Sequence, residues 1–153
     1  MRRVTVVDYG RGNLFSIARA LDHLGVVHQV SEVPSGVAAA ECIILPGVGA
    51  FGDAMQGLRE RDLVGPLVAS AKAGTPILGI CLGMQLFCTS SEEDGDHAGL
   101  GWIDARVRRF PSGPPVKVPH IGWNDVTRCR ATTLTDDIPD GCDFYFVHSY
   151  FVV

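Results

Sequence analysis

The chain has 153 residues, 46% of them hydrophobic, which suits one domain around a single sizeable core rather than two. Thirteen lysines and arginines against 17 aspartates and glutamates give a formal charge of −4, and with no basic stripe this argues against a nucleic-acid partner. No apolar run is long enough to span a bilayer, and the stretch after Arg2 and Arg3 is broken too early for a signal peptide, so no membrane partner is expected.

The chain opens with β-branched Val4 to Val7, a strand that ends in Asp8-Tyr9-Gly10. Residues 13–24 then carry Leu14, Ile17, Ala18, Leu21 and Leu24 at helical spacing. A second strand is expected over Val26 to Val30 and a short helix over Ser35 to Ala40. Cys42 to Leu45 is a continuous apolar run, the pattern of a strand buried on both faces of a parallel sheet. It leads into the glycine-rich loop Pro46 to Gly52. Pro66 to Ala73 reads as a helix, and Thr75-Pro76-Ile77-Leu78 as the start of the next strand. Leu82, Met84, Leu86 and Phe87 read as the first turns of a further helix. From Gly99 onward the pattern changes to short strands, Trp102 to Arg109 and Pro119 to Arg128, expected to form a small antiparallel flap. Asp143 to His148 reads as a return to a buried strand. The alternation predicts an α/β fold: an open, doubly wound, mostly parallel sheet with helices on both faces and ligands beyond the carboxyl ends of its strands.

One such end carries Gly79-Ile80-Cys81-Leu82-Gly83. The spacing is that of a G-x-S-x-G nucleophile elbow with sulfur in place of oxygen, where glycines relieve a sharp turn and leave the central side chain exposed. The N–H groups opening the next helix favour a thiolate, the nucleophilic form of cysteine. A thiolate attacking a carboxamide generates an oxyanion that needs two preorganised donors. The Leu82 N–H is one by elbow geometry, and the Gly47 to Gly49 loop, with the Val48 N–H, is the candidate for the other. The remaining cysteines, Cys42, Cys88, Cys129 and Cys142, are read as packing residues; the five form no C-x-x-C pair and fit free thiols in a reducing cytoplasm.

The elbow and the Pro46-Gly47-Val48-Gly49 loop together resemble the class I, triad-type glutamine amidotransferases, a flavodoxin-like fold. Three further strings narrow the resemblance to the glutaminase subunits of imidazole glycerol phosphate synthase: Asp8-Tyr9-Gly10-Arg11-Gly12-Asn13-Leu14, His120-Ile121-Gly122-Trp123-Asn124 and Tyr145-Phe146-Val147-His148-Ser149-Tyr150. The likeness spans residues 3–150. It implies that Cys81 attacks the side-chain amide of glutamine, releases ammonia and leaves a thioester that water hydrolyses to glutamate. It implies glutamine contacts from Gly49, Gln85, Tyr145, His148 and Ser149, and a surface at Asn13, His120, Trp123 and Asn124 turned toward a partner. That partner is a (β/α)8-barrel cyclase subunit, joined in a cytoplasmic heterodimer of hydrolase and lyase activities that makes imidazole glycerol phosphate and AICAR in histidine biosynthesis. No cofactor or metal is implied.

The chain departs from the family at one point. Class I amidotransferases complete their triad with a histidine and a glutamate from a Q-F-H-P-E-type string, and none of His23, His28, His97, His120 and His148 is followed by Pro-Glu. The expectation is therefore that residues 1–153 are an amidotransferase domain whose C-terminal part is missing, inactive alone. The alternative is an idle module that keeps the elbow and only binds glutamine or docks to a partner. Asp8 to Asn13 lacks G-x-G-x-x-G spacing and is read as a partner-facing turn rather than a phosphate cradle. His97, following Glu92-Glu93-Asp94-Gly95-Asp96, is read as part of a solvated acidic loop rather than a metal site.

Overall fold

The structure, a computed structural model, describes residues 2–111, 113 and 117–153. It divides into two compact units: the residues up to Arg108 together with Val152 and Val153, and Arg109 to Phe151.

In chain order the first unit holds β1 (Val4–Val7), α1 (Leu14–His23), β2 (His28–Ser31), α2 (Pro34–Ala38), β3 (Cys42–Leu45), α3 (Phe51–Glu60), α4 (Val64–Lys72), β4 (Ile77–Gly79), α5 (Leu82–Gln85), β5 (Cys88–Ser91), β6 (His97–Ala98) and most of β7 (Ile103–Arg109). The main sheet has the order β2-β1-β3-β4 with every pair parallel. Its two central strands are buried on both sides. Val6 and Ile44 face α1, where Leu14, Ile17 and Leu21 pack, and the alternate residues Thr5, Val7, Ile43 and Leu45 are buried on the opposite face. Each apolar side chain so buried stabilises the fold by about 1.5–3 kcal/mol. Pro34 opens α2, where a missing N–H is harmless, and Pro66 sits in the first turn of α4 for the same reason, so α4 starts two residues earlier than the sequence suggests.

A second sheet in the first unit runs in the order β7-β5-β6. Within the first unit β5 pairs parallel with β7 and antiparallel with β6, and Val153 exchanges backbone hydrogen bonds with Arg106 at 2.8 and 3.1 Å.

In the second unit β8 (His120–Val126) pairs antiparallel with β9 (Cys142–His148), the register running from His120 opposite His148 to Val126 opposite Cys142. Gly141 closes the connection by donating to the Val126 carbonyl, and Phe110 stacks on Phe151 with ring centres 4.5 Å apart.

Three expectations are corrected, and one helix was not expected. Helix α3 carried no clear sequence signal, because Gly52 and Gly57 interrupt its apolar pattern. The helix after Cys81 is one turn long: the Leu86 carbonyl accepts from Leu100, and the Phe87 carbonyl from Trp102 and Ile103, so the carbonyls that would continue it are already engaged. The Trp102 to Arg109 segment is not a flap strand but lies parallel to β5; the antiparallel ribbon is β8 and β9 alone. Asp143 to His148 is not a buried strand, for Phe144, Tyr145 and Val147 are exposed on the two-stranded ribbon. Among the cysteines Cys88 is buried and Cys42 and Cys142 half-buried, whereas Cys129 is exposed in the connection between β8 and β9 and packs no core.

Candidate active site

Cys81 stands exposed between β4 and α5 at φ 55° and ψ −117°, a conformation L-residues avoid and nucleophile elbows adopt. Both flanking glycines are required sterically. A Cβ on Gly79 would lie 2.5 Å from the Met84 Cα and 2.6 Å from its nitrogen, and one on Gly83 would run into the Leu45 carbonyl. The Ile80 N–H donates to that same carbonyl at 3.0 Å, which ties the elbow to the end of β3. Gly83 donates to the Ile80 carbonyl, and Met84 and Gln85 to the Cys81 carbonyl, while among the described residues the Leu82 N–H, at the first helical position, donates to no backbone carbonyl.

The loop after β3 is pressed against this elbow. A Cβ on Gly47 would stand 2.6 Å from the Tyr9 hydroxyl, 2.7 Å from the Gly83 nitrogen and 2.9 Å from the Leu82 Cβ. Pro46 and Gly47 are buried, and Val48 and Gly49 emerge to solvent. Gly49 has φ +93°, a turn that favours glycine. Among the described residues the N–H groups of Gly47, Val48 and Gly49 donate to no backbone carbonyl and remain available to a ligand. Beyond the loop, the Phe51 N–H at the start of α3 donates to the Glu93 carboxylate at 2.8 Å, an anchor for a helix whose own cap residue, Ala50, has no side-chain acceptor.

Tyr9, two residues beyond β1, lies behind the loop. Its hydroxyl donates to the Pro46 carbonyl at 2.7 Å in a buried position. Burial above all pushes its pKa far up, the Arg11 guanidinium pulls it down and the charge of Cys81 pushes it up again. Asn13 caps α1, its side chain accepting from the Ser16 N–H, on the exposed turn beside Arg11, which pairs with Asp53 at 3.1 Å. Gln85 is buried in α5. Glu93 borders a cavity of about 440 Å³ together with Asp53, Asp94 and His97; burial foremost raises its carboxyl pKa. His97 is not fully solvated as expected: its ring covers Gly52, where a Cβ would come within 2.7 Å. Among the described residues no group of three His, Cys, Asp or Glu is placed to hold a metal ion.

In the second unit alternation places Tyr145 on one face of the ribbon with Ile121 and Trp123, and His148 on the other with His120 and Asn124. The Trp123 and Tyr145 rings meet at 5.4 Å, both exposed. His148 Nδ1 faces the Tyr150 carbonyl at 2.9 Å and must donate. Its Nε2 therefore accepts from His120 Nδ1 at 2.9 Å, and His120 Nε2 accepts from the Asn124 amide at 2.8 Å. With Phe110 and Phe146, these residues line an open cavity of about 830 Å³. The Ser149 carbonyl accepts from the Phe110 N–H at 3.0 Å. Cys81, Leu82, Val48, Gly49 and Gln85 all lie in the first unit, and Tyr145, His148 and Ser149 in the second; Tyr9 and Glu93, which contact the loop after β3 and the start of α3, were not among the site residues expected from the sequence. Neither has a local signal, since their partners lie 37 and 42 residues away in sequence.

Residues 5–153 match the family described as glutamine amidotransferase class-I. The chain is 50% identical, over all of its 153 residues and 72% of the relative's length, to the imidazole glycerol phosphate synthase subunit HisH of Moorella thermoacetica. Among solved structures, a glutamine amidotransferase from Thermotoga maritima aligns over 99% of this chain and 62% of its own with a TM-score of 0.64 and 17% identity. Another glutamine amidotransferase aligns over 79% of this chain with a TM-score of 0.64 and 20% identity, and the chain spans 62% of its length. At these identities the two structures show a shared fold. Among the described residues no helix is long and apolar enough to cross a membrane.

Proposed function

Because the chain belongs to the class I glutamine amidotransferases and, within them, to the HisH subunits of imidazole glycerol phosphate synthase, we propose that it serves histidine biosynthesis by hydrolysing glutamine at Cys81. The Cys81 Sγ attacks the side-chain amide carbon of glutamine, the carbonyl oxygen takes up the charge, and collapse breaks the C–N bond as the nitrogen, having taken up the proton that the thiol gave up, leaves as ammonia. Water then cleaves the thioester to glutamate. The Leu82 and Val48 N–H groups receive the oxyanion; each such donor is worth roughly 10²–10³ in rate. Gly49 and Gln85 are the glutamine contacts of the first unit; the family resemblance adds Tyr145, His148 and Ser149 in the second, where Tyr145 and His148 lie on opposite faces of the ribbon. None of the five histidines carries the Pro-Glu signature of the triad base, so the ~10²–10⁴ that general acid–base catalysis contributes is assigned to no residue of this chain.

Ammonia passes to a (β/α)8-barrel cyclase subunit that makes imidazole glycerol phosphate and AICAR. Asn13, His120, Trp123 and Asn124 form the surface toward that subunit in a heterodimer, and the free thiols suit a reducing cytoplasm. The observation that carries the reading is the left-handed Cys81 elbow with the Gly47 loop packed against it.

Mass spectrometry after incubation with 6-diazo-5-oxo-norleucine and the barrel subunit tests it. One adduct at Cys81, absent in Cys81→Ser, is expected. No adduct at Cys81, with or without the barrel, overturns the glutaminase reading and leaves a module that only binds or docks.

A further inference from the structure

We propose that Tyr9 is a positioning residue of the oxyanion loop: by holding the Pro46 carbonyl, its hydroxyl fixes the Pro46–Gly47 peptide and hence the direction in which the loop presents its N–H groups to Cys81. The inference rests on the reading of Cys81 as the glutaminase nucleophile and assigns the control of that site to a residue outside it.

The ring is fixed before the hydroxyl does anything. Tyr9 is 1% exposed. Its own carbonyl accepts from Arg61 at 3.1 Å and lies against Gly57 of α3, where a Cβ would come within 2.7 Å. Because burial drives the Tyr9 pKa far above its ordinary value, the hydroxyl stays protonated and remains a donor. Its partner is the Pro46 carbonyl.

Pro46 is where the loop is most in need of such a holder. Upstream, the Leu45 carbonyl is already engaged by the Ile80 N–H, so β3 is anchored to the elbow. Downstream, the Phe51 N–H is anchored to Glu93. Between these points proline has no N–H, and the N–H groups of Gly47 to Gly49 donate to no backbone carbonyl among the described residues. In a planar trans peptide the C=O and the following N–H point in opposite directions. Fixing the Pro46 oxygen on the Tyr9 side thus fixes the Gly47 N–H on the other. Gly47 carries no left-handed φ; it is a glycine because Tyr9 and the elbow leave no room for a Cβ.

The same turn touches Pro46 a second time. A Cβ on Gly12 would lie 3.1 Å from the Pro46 ring, and Arg11 pairs with Asp53 of α3. The Asp8 to Asn13 turn, with Asn13 exposed at its end, therefore bears on the oxyanion loop through Tyr9 and Gly12 together, a route by which a partner seated at Asn13 reaches Cys81.

Tyr9→Phe removes the hydroxyl and keeps the ring. With the barrel subunit present, kcat for glutamine hydrolysis is expected to fall roughly tenfold to a hundredfold while KM changes less than about twofold, the signature of a displaced oxyanion donor. In the chain alone, amide exchange at Gly47, Val48 and Gly49 should accelerate while β1 and β3 keep their protection. Tyr9→Met, a flexible apolar filler without a hydroxyl, leaves the Gly47 contacts to the elbow untouched, should reproduce both effects and decides the matter if Tyr9→Phe does not fold. Wild-type exchange at Gly47 to Gly49 in Tyr9→Phe, or a kcat unchanged from wild type, overturns the proposal. If wild-type Cys81 proves unreactive with the barrel bound, the glutaminase reading fails, and the exchange comparison still decides whether Tyr9 holds the loop.

Discussion

Replacing Gly83 by alanine tests the construction of the elbow directly. The new methyl would strike the Leu45 carbonyl and stand 2.7 Å from the Leu45 carbonyl carbon and 2.9 Å from the Pro46 oxygen. All three are backbone atoms with no flexible end to give way. Relaxing the 2.7 Å contact to the ~3.5 Å of ordinary carbon packing parts β3 from α5 by about an ångström. Overpacking of this kind destabilises by about 1–3 kcal/mol, and the clash with fixed backbone puts this site at the upper end. The intrinsic preference of a helix for alanine over glycine returns about 1 kcal/mol, leaving a loss of about 2 kcal/mol. At roughly 2–4 °C per kcal/mol, the melting temperature followed by far-ultraviolet circular dichroism should drop about 4–8 °C. The displacement also separates Leu82 from the Gly47 loop, and an ångström of misplacement lowers reactivity about 10²-fold, read as the rate of Cys81 alkylation by the diazo reagent. Gly65→Ala is the control: no atom lies within 4 Å of its Cβ, and the helical gain is offset by the restriction that Pro66 places on its neighbour, so melting should move by about a degree at most. A Gly83→Ala chain that melts and alkylates like wild type would refute the steric account of the elbow.

Cys81→Gly should be inactive yet more stable by about 1 kcal/mol in urea titration, because relief of the strained backbone exceeds the added entropy of an unfolded glycine; a lower urea midpoint contradicts the strain. Burial, the largest influence on Glu93, raises its carboxyl pKa in the folded state, so the folded chain holds the proton more tightly and stability falls as pH rises from the unfolded value of ~4.3 through the folded one. Glu93→Gln keeps an oxygen for the Phe51 N–H and should flatten that decline, exceeding wild-type stability near neutrality and matching it at pH 4; a gap that stays constant with pH rules the mechanism out. Trp123 is 70% exposed, so Trp123→Ala should leave melting within about a degree of wild type while weakening barrel binding by about 30-fold, the loss typical of an aromatic hot spot; equal affinity in calorimetry removes Trp123 from the interface.

What the sequence determined on its own was whatever depends on neighbours along the chain. The β-branched run at Val4, the helical spacing from Leu14 and the uninterrupted apolar Cys42 to Leu45 yielded β1, α1 and β3 close to their observed limits, and Gly79-x-Cys81-x-Gly83 located the elbow. The tertiary structure decided the rest. Helix α3 was hidden because Gly52 and Gly57 answer to the His97 ring and the Tyr9 carbonyl rather than to helix propensity. The Trp102 to Arg109 strand chose β5 as its parallel neighbour, and the short α5 ended where the segment from Leu100 to Ile103 claimed its carbonyls. Strand β9 looked buried because its aromatic, β-branched residues are those of a core strand, yet Phe144, Tyr145 and Val147 are exposed where it pairs with β8 in a two-stranded ribbon. Tyr9 on Pro46 and Glu93 on Phe51 join residues 37 and 42 positions apart. Hydrogen bonds and close contacts across such separations exist only once the sheet has assembled, which is why the elbow at Cys81 was legible in the chain and the groups that anchor the loop beside it were not.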